Sequence, residues 1–140
     1  MNPMRYHRDH TSPSSGEVFV FGSNLGGRHG KGAALAAHRS HGAVMGTGQG
    51  YMGEYPRHSY AIPTKDARLN TLSLPRVEAC VKAFGEFVEH HPGLTFWVTR
   101  VGCGLAGYGD VEIAPLFASL CLNPGQVSWP EPWKPYMEKQ

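Results

Sequence analysis

The sequence has no apolar run approaching the roughly 20 residues a membrane helix needs, and its amino terminus lacks the hydrophobic centre of a secretory signal. A cytoplasmic protein with no membrane partner is expected. No excess of one charge is present either. A formal charge of +2 leaves no basic tract, so a broad nucleic-acid-binding face is unsupported, although a local pocket remains open. Cysteine is scarce: Cys80, Cys103 and Cys121 are odd in number and lack metal-like spacing, which excludes a disulfide framework and favours reduced thiols. There is no internal repeat. What remains, 140 residues with 41% hydrophobic and 17% charged content, suits one compact domain with a real core.

The most organised stretch is Val18 to Ala37, VFVFGSNLGGRHGKGAALAA. Val18–Phe21 reads as a buried strand, Gly22–Lys31 as a loop of unusual backbone angles, and Gly32–His38 as the first turns of a helix. Small residues let backbone N–H groups approach an anion, and the positive end of the following helix adds attraction. The bland alternative is a glycine-rich turn that only connects strand to helix.

Residues 1–16 are polar and read as a flexible tail, and 17–129 as the folded domain. The stretch GTGQGYMGEYPRH looks like a surface connection able to fold over a ligand. Ser59–Thr64 is extended and runs into Lys65 and Asp66. Val77, Val81, Phe84 and Val88 share one face of a helix that starts near Ser73 and Pro75 and stops at Pro92-Gly93. Leu94–Thr99 is the most strand-like run, expected to be central and covered on both faces. It too ends in glycines, TRVGCGLAGYGD, before Asp110 caps a short helix. Gln126–Ser128 reads as a last short strand, and residues 130–140 form a proline-rich tail without regular structure, packed on the domain or extending from it. Strands alternating with helices give an α/β protein with an at least partly parallel sheet. Two glycine loops, each leaving a strand and entering a helix, belong together at the carboxyl edge of such a sheet, with Lys65 leaving a third strand beside them.

Several chemistries fail on detail. GGRHGKG lacks the Ser or Thr that a phosphate-binding P-loop needs after its lysine, because Gly32 follows Lys31. GSNLGG does not match the dinucleotide fingerprint. Cys103 lies between two glycines, where a thiol can be presented, but a small buried cysteine is the commoner reading. His7 with His10, and His38 with His41, are pairs without a carboxylate or cysteine in register, so no metal site is expected. Lys65, at a strand end, suits a nucleophile toward a sugar aldehyde or a phosphate partner, against the alternative of an ordinary loop lysine. Tyr51 and Tyr108 can stack on a base or lid the core.

SNLGGRHGKGAA, SYAIPTKD and TRVGCGLAGYGD, in that order and spacing, resemble the macro domain superfamily, ADP-ribose-binding α/β/α modules. The similarity spans most of Val18 to Leu120. It points toward the branch that includes terminal ADP-ribose protein glycohydrolase, and toward bacterial and phage proteins sharing FVFGSN and GCGLAG. The resemblance implies a three-layer α/β/α sandwich with a mixed, largely parallel central sheet. It implies ADP-ribose or an ADP-ribosylated macromolecule as partner, no cofactor, and removal of ADP-ribose by a metal-independent hydrolase; the alternative is a non-catalytic binding module. The ribose and diphosphate would lie against Gly22, Ser23, Asn24, Leu25, Gly30, Lys31, Gly32 and Ala33 of the first loop. Val101, Gly102, Cys103, Gly104, Leu105, Ala106, Gly107 and Tyr108 of the second would close the other side. Lys65 matches the lysine that attacks the ribose anomeric carbon in the glycohydrolase branch. Where that branch has its catalytic aspartate this chain has Ala106, and Asp110, four positions on, is the acidic residue available as acid or base. The aspartate that binds adenine in a G-D segment near the amino terminus has no counterpart in this reading.

Overall fold

Alternation along Val18–Phe21 sends Val18 and Val20 to one side of a sheet and Phe19 and Phe21 to the other, and all four are buried. In the computed structural model, which describes residues 3–13 and 16–138, this run opens strand β2 (Val18–Asn24). Its companions are β1 (Arg5–His7), β3 (Gly50–Glu54), β4 (Arg57–Lys65), β5 (Phe96–Val98) and β6 (Val127–Pro130). The helices are α1 (Gly32–Ser40), α2 (Leu74–His90), α3 (Asp110–Ala118) and α4 (Lys134–Met137), the last preceded by a 3-10 turn, Glu131–Trp133. The six strands lie in the order β1-β6-β5-β2-β4-β3, parallel throughout except for the β3–β4 pair.

Two apolar clusters divide along the pleat. On one face Val77, Val81, Phe84 and Val88 of α2 and Ile113 and Phe117 of α3 meet Val18, Val20, Ile62, Phe96 and Val98. On the other, Ala34 and Ala37 of α1 pack on Phe19, Phe21 and Ala61. This is the α/β/α sandwich with a largely parallel sheet that the sequence led one to expect. Alanines suit α1 because a helix lying close over two phenylalanines has room for nothing larger. α2 spans 17 residues with its apolar stripe inward, entered after Ser73 with Pro75 in the first turn, where a missing N–H costs nothing. β5 lies inside the sheet between β2 and β6, and its carboxyl end opens directly into the second glycine loop.

Three expectations need correction. Residues 1–16 are not simply a tail: Arg5–His7 pairs with β6, and His7 stacks on Trp97 with ring centroids 3.8 Å apart. Met1, Asn2, Ser14 and Ser15 lie outside the described residues. The glycine-rich stretch after Met45 is not simply a surface connection; Gly50–Glu54 turns back as an edge strand against β4. The carboxyl-terminal prolines do not prevent regular structure. Pro130 is the last residue of its strand, and Pro132 and Pro135 sit in first helical turns, where no N–H is required. Trp133 is fully buried beside Phe117; Lys139 and Gln140 are outside the described residues. No helix among the described residues is long and apolar enough to cross a membrane.

Phe84 is fully buried, with edge-on contacts to Tyr60, Phe96 and Phe117. Phe84→Ala should cost about 3–5 kcal/mol of stability, read from urea unfolding. His7 titrates differently from a free histidine. Burial pushes it down to about 4 from 6.5, only partly offset by its hydrogen bond to the Val98 carbonyl. Between those values the unfolded chain binds a proton that the folded chain refuses, so stability is full above the higher value and falls as pH drops toward the lower. His7→Gln should flatten that fall, seen as a smaller loss of urea midpoint between about pH 7 and about pH 4.5 than in the wild type.

Candidate functional site

The carboxyl ends of β2, β4 and β5 open into one cleft of about 940 Å³, a volume suited to a nucleotide-sized ligand. Gly22, Ser23, Asn24, Gly30, Lys31, Gly32 and Ala33 line it from the first loop, and Gly102, Cys103, Gly104, Leu105 and Ala106 from the second. Lys65 enters from the end of β4. The loops meet because neither has a side chain at the contact: a Cβ on Gly22 would lie 3.3 Å from the Gly102 nitrogen, and Gly102 itself has φ +77°. A side chain at Gly22 would crowd the second loop, and one at Gly102 would meet Ile113 and strain a left-handed backbone.

The first loop is folded by its own asparagine. Asn24 Nδ2 donates to the Arg28 carbonyl and Oδ1 accepts from the Arg28 N–H, each at 2.9 Å. Ser23 Oγ donates to the Gly48 carbonyl. His29, fully buried, points Nε2 between the carbonyls of Val44 and Thr47, both at 3.0 Å, and so ties the 44–47 turn to the loop. α1 then begins without a side-chain cap and with no acidic residue in its first turn. Its first recorded intrahelical bond is Leu35 N–H to Lys31 carbonyl, so the N–H groups of Gly32, Ala33 and Ala34 have no acceptor among the described residues. In the second loop the same holds for the N–H groups of Gly104, Leu105 and Ala106. Orphan amides and a helix amino terminus are the elements from which anion sites are built.

Side-chain charge strengthens it. Arg28, Lys31, Lys65 and Arg100 line the cleft, against Asp9 as its only carboxylate among the described lining residues. Arg100 is spoken for: its Nε and Nη2 donate to Asp110 at 2.9 and 2.7 Å, and Nη1 donates to Asp9 at 3.1 Å. The cationic heads of Arg28, Lys31 and Lys65 have no hydrogen-bonding or ionic partner among the described residues. Three uncompensated cations around one hollow call for a multiply charged anion.

Five sequence candidates do not line the cleft. Leu25 and Val101 lie beside it in the chain, Gly107 follows the loop, and Tyr108 donates its hydroxyl to the Leu72 carbonyl at 2.5 Å, a structural tie. Asp110 is the fifth. Burial would raise its carboxyl, but hydrogen bonds from Arg100, Trp133 and Cys103 outweigh this and hold it below the usual carboxylate range. Both its oxygens are engaged, and it does not cap α3; Gly109 does, its N–H donating to Glu112. Such a group is a poor acid or base. Tyr51 is also elsewhere, on β3, donating to His58 Nδ1 at 2.6 Å and stacked on Phe87. Cys103 does line the cleft, yet burial first, then the neighbouring Asp110, push its thiol up to about 12, so it is no thiolate nucleophile. His38 and His41 serve separately, the first on the Ala43 carbonyl and the second stacked on Phe19.

Sequence reading missed Asp9, His10, Thr11, Ser12, Arg28 and Arg100, all of which line the cleft. The only signal for the first four was an aspartate in a short polar stretch. Arg100 opens the second loop and Arg28 sits inside the first, so both were visible as basic residues within motifs otherwise read for their glycines.

Solved structures similar to this one cover nearly the whole chain. The macrodomain of Thermus aquaticus DarG has a TM-score of 0.69 at 20% identity, covering 93% of this chain and 99% of that one. The macrodomain of Mycobacterium tuberculosis DarG gives 0.67 at 19%, with the same coverage of 93% and 99%. A protein of unknown function from Bacteroides thetaiotaomicron gives 0.65 at 19%, covering 91% and 97%. No family model and no curated protein sequence matches the chain.

Because Asn24 spends both ends of its amide on Arg28, Asn24→Ala should loosen the first loop. A loss of about 1–3 kcal/mol in stability is expected, measured by urea unfolding, together with faster hydrogen exchange of the Arg28 amide.

Proposed function

We propose, from the macrodomain fold this chain has and from the charge of its cleft, that it binds ADP-ribose and hydrolyses the bond joining that group to a macromolecule. The observation that carries the reading is the convergence of Arg28, Lys31 and Lys65, none with an acidic partner, on a hollow rimmed by unpaired backbone amides. A pyrophosphate matches that set: two negative charges and several acceptor oxygens, gripped by main-chain N–H groups and the amino terminus of α1. By the resemblance, Lys65 would lie at the distal ribose. There its side-chain nitrogen bonds to the anomeric carbon as the bond to the departing oxygen breaks. That oxygen keeps the electron pair and takes up the proton that the nitrogen gives up; water then adds to the same carbon as the carbon–nitrogen bond breaks, and a proton of that water returns to the lysine nitrogen. Asp9 stands in the amino-terminal region where the resemblance calls for an adenine-binding aspartate, and its carboxylate is an acceptor suited to the exocyclic amine of that base.

One observation favours a second reading, a binding module without turnover. Ala106 supplies no carboxylate where the glycohydrolase branch has one, and Asp110 is locked to Arg100 and Trp133. Neither position then supplies a carboxylate to take the proton from Lys65.

Calorimetry with ADP-ribose, followed by assay of ADP-ribose release from ADP-ribosylated protein, separates these. The wild type should bind, and R28Q/K31Q should bind at least roughly tenfold more weakly, since two charge-assisted contacts are lost. The wild type should release ADP-ribose, whereas Lys65→Ala should bind it and release none. Binding without release by the wild type means a binding module. No heat with ADP-ribose removes both readings.

A further inference from the structure

The backbone N–H groups of Gly30 through Ala34 have no acceptor among the described residues, whereas those of Arg28 and His29 just before them are paired. Packing does not aim the open amides, because a Cβ on Gly30 or on Gly32 would meet nothing within 4 Å. The segment is held from its two ends. On one side α1 lays Ala34 and Ala37 on Phe19 and Phe21. On the other stands His29, fully buried and not itself a lining residue of the cleft.

The His29 ring turns Nε2 to the carbonyls of Val44 and Thr47, each at 3.0 Å, and since carbonyls only accept, the ring hydrogen sits on Nε2. Nδ1 is then a bare lone pair, buried and without a partner among the described residues. The ring also meets Phe21 edge-on, with centroids 5.4 Å apart. A phenylalanine would fill this place without the cost of an unpaired buried acceptor. Val44 and Thr47 are exposed residues, and water can serve their carbonyls. Stability alone therefore does not call for a histidine.

We infer that His29 is a positioning residue for the anion grip: by holding the 44–47 turn it fixes the near end of Gly30–Gly32, and with it the direction of the amides that face the cleft. This rests on the reading that the cleft takes a pyrophosphate-bearing nucleotide. The turn is a firm anchor. Gly46 N–H donates to the Gly27 carbonyl at 2.9 Å, Ser23 Oγ donates to the Gly48 carbonyl, and Gly48 approaches the Asn24 carbonyl so closely that no Cβ would fit. His29 N–H adds a contact to Met45 Sδ at 3.4 Å. Amides held in place before the ligand arrives bind it without paying for their own ordering.

The test titrates ADP-ribose calorimetrically into the full chain and its variants. His29→Phe keeps the ring against Phe21 and removes the donor; it should bind about tenfold more weakly, the worth of lost preorganisation at a charged ligand. His29→Gln places an amide nitrogen with two N–H groups near the same two carbonyls, and should bind within about threefold of the wild type. Val81→Ala, a cavity in the opposite face of the sheet, lowers stability and should leave affinity within about threefold. Wild-type affinity in His29→Phe overturns the inference, as does a Gln variant as weak as the Phe variant, or a Val81 variant as weak as either. Should the His29 variants not fold, the wild type still decides: nitrogen NMR of its His29 ring should show hydrogen on Nε2, and hydrogen on Nδ1 overturns the inference. Each of those results leaves the nucleotide reading standing. A wild type that gives no heat with ADP-ribose removes that reading and this inference with it.

Discussion

Backbone amides that the chain cannot satisfy by itself are the constraint on which the molecule turns. Two strands of a parallel sheet end side by side, and each must turn into a helix. Where the turns are made of glycines, the amides of Gly32, Ala33 and Ala34 at the entrance of α1 and those of Gly104, Leu105 and Ala106 within the second loop have no acceptor among the described residues. In most loops a capping side chain or an acidic residue in the first turn answers this need. α1 has neither, and the residues around its entrance are Arg28 and Lys31. Positive potential is therefore accumulated where a fold alone would have dispersed it. The stability for that comes from elsewhere: from the aromatic and aliphatic packing of α2 and α3 on one face, and the close approach of α1 to Phe19 and Phe21 on the other.

The scaffold and the cleft are linked through positions without side chains. Gly22 lets the first loop touch the Gly102 backbone, while Asn24 and Ser23 use their polar groups on the protein itself, on Arg28 and Gly48. Asn24 is thus a builder of the cleft before it is anything else. Arg100 behaves in the same way at the other rim, where it joins amino- and carboxyl-terminal segments that are far apart in sequence. Lys65, by contrast, spends only its backbone on the structure. Its carbonyl accepts from Leu25, but its ammonium is left for whatever enters the cleft.

Much of this was legible in the sequence where period and composition agree. The stripe Val77, Val81, Phe84 and Val88 gave α2 nearly to the residue, and the apolar run Val18–Phe21 gave the first part of β2, whose last three residues, Gly22 to Asn24, read as loop because of their composition. The two glycine loops followed from where those strands had to end. β1 was not legible because Arg5–His7 is three polar residues whose pairing with β6 depends on chain 120 residues away. β3 was hidden by glycines that lower strand propensity, and its place in the sheet comes from pairing with β4. The carboxyl-terminal turn and helix were hidden by prolines, which break regular structure only where an N–H is needed. Asp110 illustrates a different gap: its position four residues after Ala106 was visible, but its bonds to Arg100 and Trp133 are tertiary, and they decide what it can do. The fold that this chain shares with the DarG macrodomains was implied by three motifs in register, whereas the side chains that shape the cleft between those motifs were not.

The central claim is that both glycine loops grip one pyrophosphate. It is tested most directly by backbone amide NMR of the full chain titrated with ADP-ribose. The amides of Gly32, Ala33 and Ala34 and those of Gly104, Leu105 and Ala106 should shift together, at the same ligand concentration, as each gains an acceptor. Shifts confined to one loop, or appearing first at residues away from the cleft, would contradict the account.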